Sequence, residues 1–301
     1  MTVEPGYLRL LKSGELDRRA KSALKLLESR TLCPHKCNVD RSKDQKGFCK
    51  IGKDAIIASY GPHFGEEAPI SGQRGSGTVF FSGCNLKCVY CQNFEISQKL
   101  EGYQVPAEYL AFVFLALQND GCHNINLVTP THIVPQFLEA LVIAAKEGLH
   151  IPIVYNCGGY ESIETLKLLD GIIDIYMPDL KYGSNSVAHK YSKIKGYWDI
   201  ARDAIKEMHR QVGDLRLDSK GIAQKGLLIR HLVLPNDLDR AAKVLEFIAK
   251  ELSTETYVNI MDQYRPCGMA HEFPELNRRI TREEYMRAVE IARAFGLNRL
   301  D

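Results

Sequence analysis

The stretch TVFFSGCNLKCVYCQN, residues 78–93, decides how the chain is read. Its first part, Thr78 to Gly83, is a short apolar run with β-branched and aromatic residues, the composition of a buried strand. The part that follows places Cys84, Cys88 and Cys91 in one loop, spaced C-x3-C-x2-C. Thiolate is a soft ligand that suits iron–sulfur clusters or zinc. A closed structural zinc site takes four ligands, commonly from C-x2-C pairs, and bacterial ferredoxins use C-x2-C-x2-C, so this spacing fits neither well. Three thiolates leave one iron of a cubane cluster open to an exchangeable ligand.

Outward from this loop the pattern is regular. Apolar strands are predicted at 124–129, 151–156, 172–181, 227–234 and 256–264, alternating with helical stretches from 106, 135, 162, 198 and 237. The last helix opens with a capping box, Thr281 and Glu284, and Gly296 follows its final turn. Six strands alternating with helices imply an α/β fold with a parallel sheet, either open or curled into a full or partial barrel. In a barrel, functional side chains come from the C-terminal ends of the strands. Residues 76–301 are therefore expected to form that domain. Residues 1–75, with an amphipathic helix at 15–29, a Cys-bearing irregular stretch and a Gly/Pro-rich connection at 61–77, form a small N-terminal appendage.

Composition excludes several classes. The 301 residues are 45% apolar and 25% charged, average for a globular protein, and carry a net charge of +2 with no basic tract, so no nucleic-acid partner is signalled. The N-terminus carries early charges and no apolar core of the kind that marks a signal peptide. The longest uncharged apolar run, Tyr109 to Leu117, is far short of the roughly 20 residues a membrane span needs. A cytoplasmic protein with no membrane partner is expected. In a reducing compartment, the nine cysteines read as metal ligands or redox groups rather than disulfides. Six of them fall into two groups, Cys84/Cys88/Cys91 and Cys33/Cys37/Cys49, while Cys122, Cys157 and Cys267 read as ordinary small buried residues.

The cysteine loop, with Tyr90 before its last cysteine, resembles the signature loop of radical S-adenosylmethionine (radical SAM) enzymes. The segments CPHKCNV, GCNLKCVYCQN, DIYMPDLKY, IRHLVLP and MDQYRP resemble the branch typified by pyruvate formate-lyase activating enzyme. The resemblance implies a partial (β/α)6 TIM-like barrel and a [4Fe-4S] cluster on Cys84, Cys88 and Cys91. Its open iron would chelate S-adenosylmethionine, to be cleaved reductively to methionine and a 5′-deoxyadenosyl radical. It also implies an electron donor such as flavodoxin or ferredoxin, and a glycyl-radical enzyme as the target of hydrogen abstraction. A different protein or a small molecule is the alternative substrate.

The strand ends supply candidates for gripping the cofactor, with Tyr90 beside the cluster. The family often has Gly-Gly-Glu after the second strand. Here Thr129-Pro130-Thr131-His132 stands instead, and the hydroxyls of Thr129 and Thr131 either accept from the cofactor's amine or cap the next helix. Asn156 precedes a glycine pair and reads as a ribose or adenine contact or as a turn residue. Asp179 and Lys181 alternate by two and so share one face of their strand, where opposite charges are costly unless they serve a ligand or each other. Of Arg230 and His231 only one can face a barrel interior, and the resemblance selects His231, near the ribose.

The N-terminal trio, C-x3-C-x11-C, lacks a fourth thiolate of its own, and His35 or a cysteine from elsewhere can complete it. It is expected to hold a second metal site, iron–sulfur or zinc, or else to be buried structural cysteines. A reading from another class makes the whole protein a non-enzymatic adaptor with zinc at both groups. Charged residues at successive strand ends favour the enzyme.

Overall fold

A computed structural model of the chain describes residues 4–29 and 32–301. Nine strands form one sheet: β1 (Ala55–His63), β2 (Ser76–Phe81), β3 (Tyr103–Val105), β4 (Ile125–Val128), β5 (Ile153–Cys157), β6 (Ile175–Pro178), β7 (Arg216–Leu217), β8 (Ala223–Leu232) and β9 (Tyr257–Met261). The run β2-β4-β5-β6-β8-β9 is parallel throughout. These are the six strands expected from the sequence, and β4, β5 and β6 are buried along their whole length, as strands covered on both faces must be. The sheet does not close. At one side β1 and β3 add antiparallel strands, so residues 55–63 of the expected appendage continue the sheet of the barrel.

Strand alternation sorts the side chains into two layers. Leu127, Tyr155, Tyr176 and Leu227 face the outer helices in the main core. Val154, Ile175, Met177 and Leu228 face inward and pack on Ile70, carried by the short helix Ala68–Ser71. The Asn124 amide donates to the Ile70 carbonyl (2.9 Å), and Ser76 Oγ donates to Asn124 Oδ1 (2.7 Å), which fastens that helix across the N-terminal mouth of the barrel. The Gly/Pro-rich segment read as a connection is therefore a plug.

Strand limits shift from the sequence reading by one to four residues, and two of these shifts have a plain physical reason. The run 172–181 contains only four strand residues, because Ile172 and Ile173 turn out of a tight bend and Pro178 has no N–H to carry the ladder onward. β8 starts four residues earlier than 227, since Ala223 and Lys225 pair with β7 in an antiparallel ribbon that lacks an apolar run. The capping box at Thr281 and Glu284 is present. Among the described residues no helix is long and apolar enough to cross a membrane.

Candidate functional site

Cys84, Cys88 and Cys91 lie in the loop that leaves the C-terminal end of β2. The loop is held by backbone bonds from both sides: Lys87 N–H donates to Ser192 C=O (3.0 Å), Val89 N–H to Tyr191 C=O (2.8 Å), and Met269 N–H to Val89 C=O (2.7 Å). Each sulfur has a neighbour able to donate to it, Leu86 N–H to Cys84 (3.3 Å), Ser192 Oγ at Cys88 (3.0 Å) and Ser97 Oγ at Cys91 (3.3 Å). Burial pushes the Cys84 thiol up and raises that of Cys88 to about 11, while the Lys181 ammonium pulls both down. Among the described residues no three His, Cys, Asp or Glu side chains are arranged to hold a single metal ion.

Gly83, at φ +80°, lets the appendage close on this loop. A Cβ there would stand 2.6 Å from Ile51 Cγ1 and 2.8 Å from the Cys49 carbonyl oxygen. His35 Nε2 meets the Asn85 carbonyl (2.7 Å), and its ring stacks on Phe48 at 3.8 Å.

At the ends of β5, β6 and β8, inward side chains form one polar network. Arg230 Nε donates to Asp179 Oδ1 (2.7 Å), its Nη2 to Asn156 Oδ1 (2.6 Å) and its Nη1 to Glu66 Oε2 (3.3 Å). Lys181 Nζ takes the other Asp179 oxygen at 2.5 Å. Burial raises Asp179, but Arg230 and Lys181 outweigh it and hold the carboxyl below its usual value. Burial likewise lowers Lys181, and Asp179 more than reverses it. The chain Lys181–Asp179–Arg230–Glu66 thus leads from the cysteine loop across the barrel interior.

The family model for the radical SAM superfamily matches residues 78–222, starting within β2 and taking in the cysteine loop and the strands through β7. An uncharacterised protein of Methanocaldococcus jannaschii, MJ0674, is 35% identical over 300 residues, spanning 97% of this chain and 82% of that protein. The chain carries a radical SAM superfamily domain. Among solved structures, the FeFe-hydrogenase maturase HydG from Carboxydothermus hydrogenoformans superimposes with a TM-score of 0.50 at 13% identity, covering 72% of this chain and 50% of that one. The chain spans about half the length of that structure, and the likeness is one of fold: a partial TIM-like barrel.

Radical SAM enzymes carry a [4Fe-4S] cluster and S-adenosylmethionine. The loop fits such a cluster. It offers three soft donors, each with one hydrogen-bond neighbour, and the cation of Lys181 stands by to balance thiolate charge.

The expected cofactor contacts divide. Asn156, Asp179 and Lys181 meet in the interior network. Thr129 stands at the end of β4 with φ +61°, a left-handed conformation that a β-branched residue rarely adopts, fixed by its N–H bond to the Asn156 carbonyl (2.8 Å). Tyr90 is buried edge-on against Tyr182 and Tyr264, beneath the cysteine loop.

Two residues lie elsewhere. Thr131 is fully buried toward the outer helices, donating to Glu161 Oε1 (2.5 Å), while the Tyr155 hydroxyl donates to Glu161 Oε2 (3.0 Å). Burial lifts Glu161 to about 7, with Thr131, Tyr155 and Cys157 holding it partly down. His231 corrects the selection made from the resemblance. In the β6–β8 register Asp179 opposes Arg230, so Arg230 faces in and His231 faces out. There His231 is fully buried and spent on Asp239 (2.9 Å) and the Leu180 carbonyl (2.7 Å). Arg230, Glu66 and Glu67 are interior residues that the sequence reading did not select.

In the appendage, Cys33 and Cys37 are half-buried and Cys49 is buried. Arg41 lies within electrostatic reach of all three, donating from Nε to the Gly52 carbonyl (3.0 Å) and from Nη1 to the His132 carbonyl (2.6 Å), while Nη2 is buried without a partner. Burial raises the Cys33 thiol to about 12.

Proposed function

We propose that Cys84, Cys88 and Cys91 hold a [4Fe-4S] cluster and that the interior network of Asn156, Asp179, Lys181 and Arg230 orients S-adenosylmethionine beside it, with Thr129 and Tyr90 at the margins. Bound there, the cluster supplies a vacant iron and the electron that splits the sulfonium into methionine and a 5′-deoxyadenosyl radical. The observation that carries this reading is the placement of three sulfurs, each with a hydrogen-bond neighbour and with the Lys181 ammonium close enough to act on them, at the C-terminal mouth of a parallel barrel. That mouth is where such barrels do their chemistry.

In this reading Lys181 offsets thiolate charge and is available to an anionic carboxylate. Asn156 offers polar atoms to a ribose or adenine, and the buried walls keep water from a radical. The electron comes from a reduced flavodoxin or ferredoxin in the cytoplasm. The radical abstracts hydrogen from a protein or small-molecule substrate, and the resemblance to activating enzymes favours a glycine of a glycyl-radical enzyme.

The second thiol group, Cys33, Cys37 and Cys49, is proposed to hold another iron–sulfur cluster. The unpartnered Nη2 of Arg41 supports this, since a buried guanidinium within electrostatic reach of three thiols is balanced once those thiols become thiolates.

The test is anaerobic reconstitution with iron and sulfide, chemical reduction, and chromatographic measurement of 5′-deoxyadenosine from S-adenosylmethionine. Iron and sulfide counts per chain separate one cluster from two. A colourless, zinc-containing protein that makes no 5′-deoxyadenosine would leave the adaptor reading standing instead.

A further inference from the structure

Where the sheet fails to close, between β9 and the segment that follows β1, lies a cavity of about 250 Å3. Glu66, Glu67, Arg230, Asn259, Gln263 and Asp301 line it. Its charges are unequal. Arg230 and Lys181 are both committed to Asp179, at 2.7 Å and 2.5 Å, and Arg230 reaches Glu66 only at 3.3 Å. Glu67 Oε1 accepts from the Asn259 amide (2.9 Å) and is 4.0 Å from Arg230 Nε. Its other oxygen, Oε2, is buried with no donor at all, on a side chain only 3% exposed. Two cations thus face the carboxylates of Asp179, Glu66 and Glu67, with Asp301 a fourth at the rim. His63, 3.6 Å from Glu66, adds positive charge only when protonated. Burial pushes the Glu66 carboxyl up even with Arg230 beside it, as expected of an under-compensated site.

A buried carboxylate oxygen without a donor is costly, and a water would satisfy the hydrogen bond but not the charge. We infer that this cavity receives a positively charged group, an ammonium or guanidinium, carried by the substrate. A guanidinium suits it best, because its planar N–H donors can serve the carboxylates of Glu66 and Glu67 together. The inference rests on the radical SAM reading for its placement: the chain Glu66–Arg230–Asp179–Lys181 joins the cavity to the cysteine loop, so a cation anchored here holds the rest of its molecule near the reacting centre.

The test uses anaerobically reconstituted protein saturated with S-adenosylmethionine, titrated with methylguanidinium, methylammonium and the neutral N-methylurea by ligand-observed NMR. Methylguanidinium should bind at least tenfold more tightly than N-methylurea, with methylammonium between them. Glu67→Gln should erase most of that preference. If that variant does not fold, the comparison of the three probes on the wild-type protein decides alone. Equal binding of the neutral probe, unchanged preference in Glu67→Gln, or loss of cation binding when S-adenosylmethionine is present would each overturn the inference. A protein that discriminates the probes yet makes no 5′-deoxyadenosine supports the cation site and sinks the radical reading. One that makes 5′-deoxyadenosine without discriminating sinks the cation site alone.

Discussion

Replacing Arg230 with leucine removes the cation on which the interior carboxylates converge. Asp179 loses its 2.7 Å bond, Glu66 its 3.3 Å partner and Asn156 its 2.6 Å donor, leaving Lys181 alone against Asp179. The side chains of Asp179, Glu66 and Glu67 are 16%, 8% and 3% exposed, so water replaces hydrogen bonds there but not the lost charge. Deleting one partner of a buried pair costs about 3–5 kcal/mol, because the other charge stays buried. At about 2 °C per kcal/mol for a chain of this size, Arg230→Leu should lower Tm by about 6–10 °C at neutral pH.

The pH dependence has a definite sign. Asp179 is held below its usual value in the folded chain, so its stabilisation is present above the unfolded value near 3.9 and is lost as pH falls through the folded one. Without Arg230 the carboxyls take up protons more readily. The gap between wild type and variant should therefore narrow below roughly pH 5. Thermal unfolding followed by circular dichroism, on anaerobic protein at neutral and acid pH, measures both. Adding Glu66→Gln to Arg230→Leu should recover part of the loss. A shift under about 2 °C at neutral pH, or a gap unchanged by acid, would refute the assigned network.

Other perturbations separate site from scaffold. Cys88→Ala should reduce bound iron at the loop to background and abolish 5′-deoxyadenosine formation while the far-ultraviolet spectrum stays native. Gly83→Ala, which places a methyl 2.6 Å from Ile51 at φ +80°, should destabilise by about 1–2 kcal/mol or more and lower iron loading, read by denaturant titration and iron assay. His231 is a pH reporter of the outer layer: burial opposes its charge, but Asp239 and the Leu180 carbonyl outweigh burial and leave its pKa raised. Its stabilisation is complete below about pH 6.5 and is lost as pH rises through the folded value. Wild type should exceed His231→Gln by more at pH 6 than at pH 9, with S-adenosylmethionine affinity unchanged in calorimetry.

The parallel strands are legible because each is a run of buried apolar residues ending where the chain must turn. β4, β5 and β6 are buried on both faces and announce themselves by composition, while the start of β8 at 223–226, which lacks an apolar run, and the two-residue β7 do not. The cysteine loop is legible because its chemistry is local: three thiols within eight residues need no register to meet. Residues that meet across strands are another matter. Alternation says that one of Arg230 and His231 faces inward and leaves the phase open. The phase is fixed by pairing with Asp179, which only the β6–β8 register supplies. Thr131 fails for the same reason, since its partner Glu161 lies 30 residues away.

Glu66 and Glu67 expose a different limit. Glycine and proline between 61 and 77 mark where the chain turns but not toward what, and here it turns into the barrel. One joint signal was nevertheless present. An arginine in the apolar run LLIRHLVL needs carboxylate partners if it is inward, and Asp179 is already matched in phase by Lys181. A further acid must then arrive from outside the strands. The adjacent pair Glu66-Glu67 stands just before the short helix Ala68–Ser71 and supplies one carboxylate more than Arg230 requires. That surplus, rather than the arginine, gives the cavity its negative character.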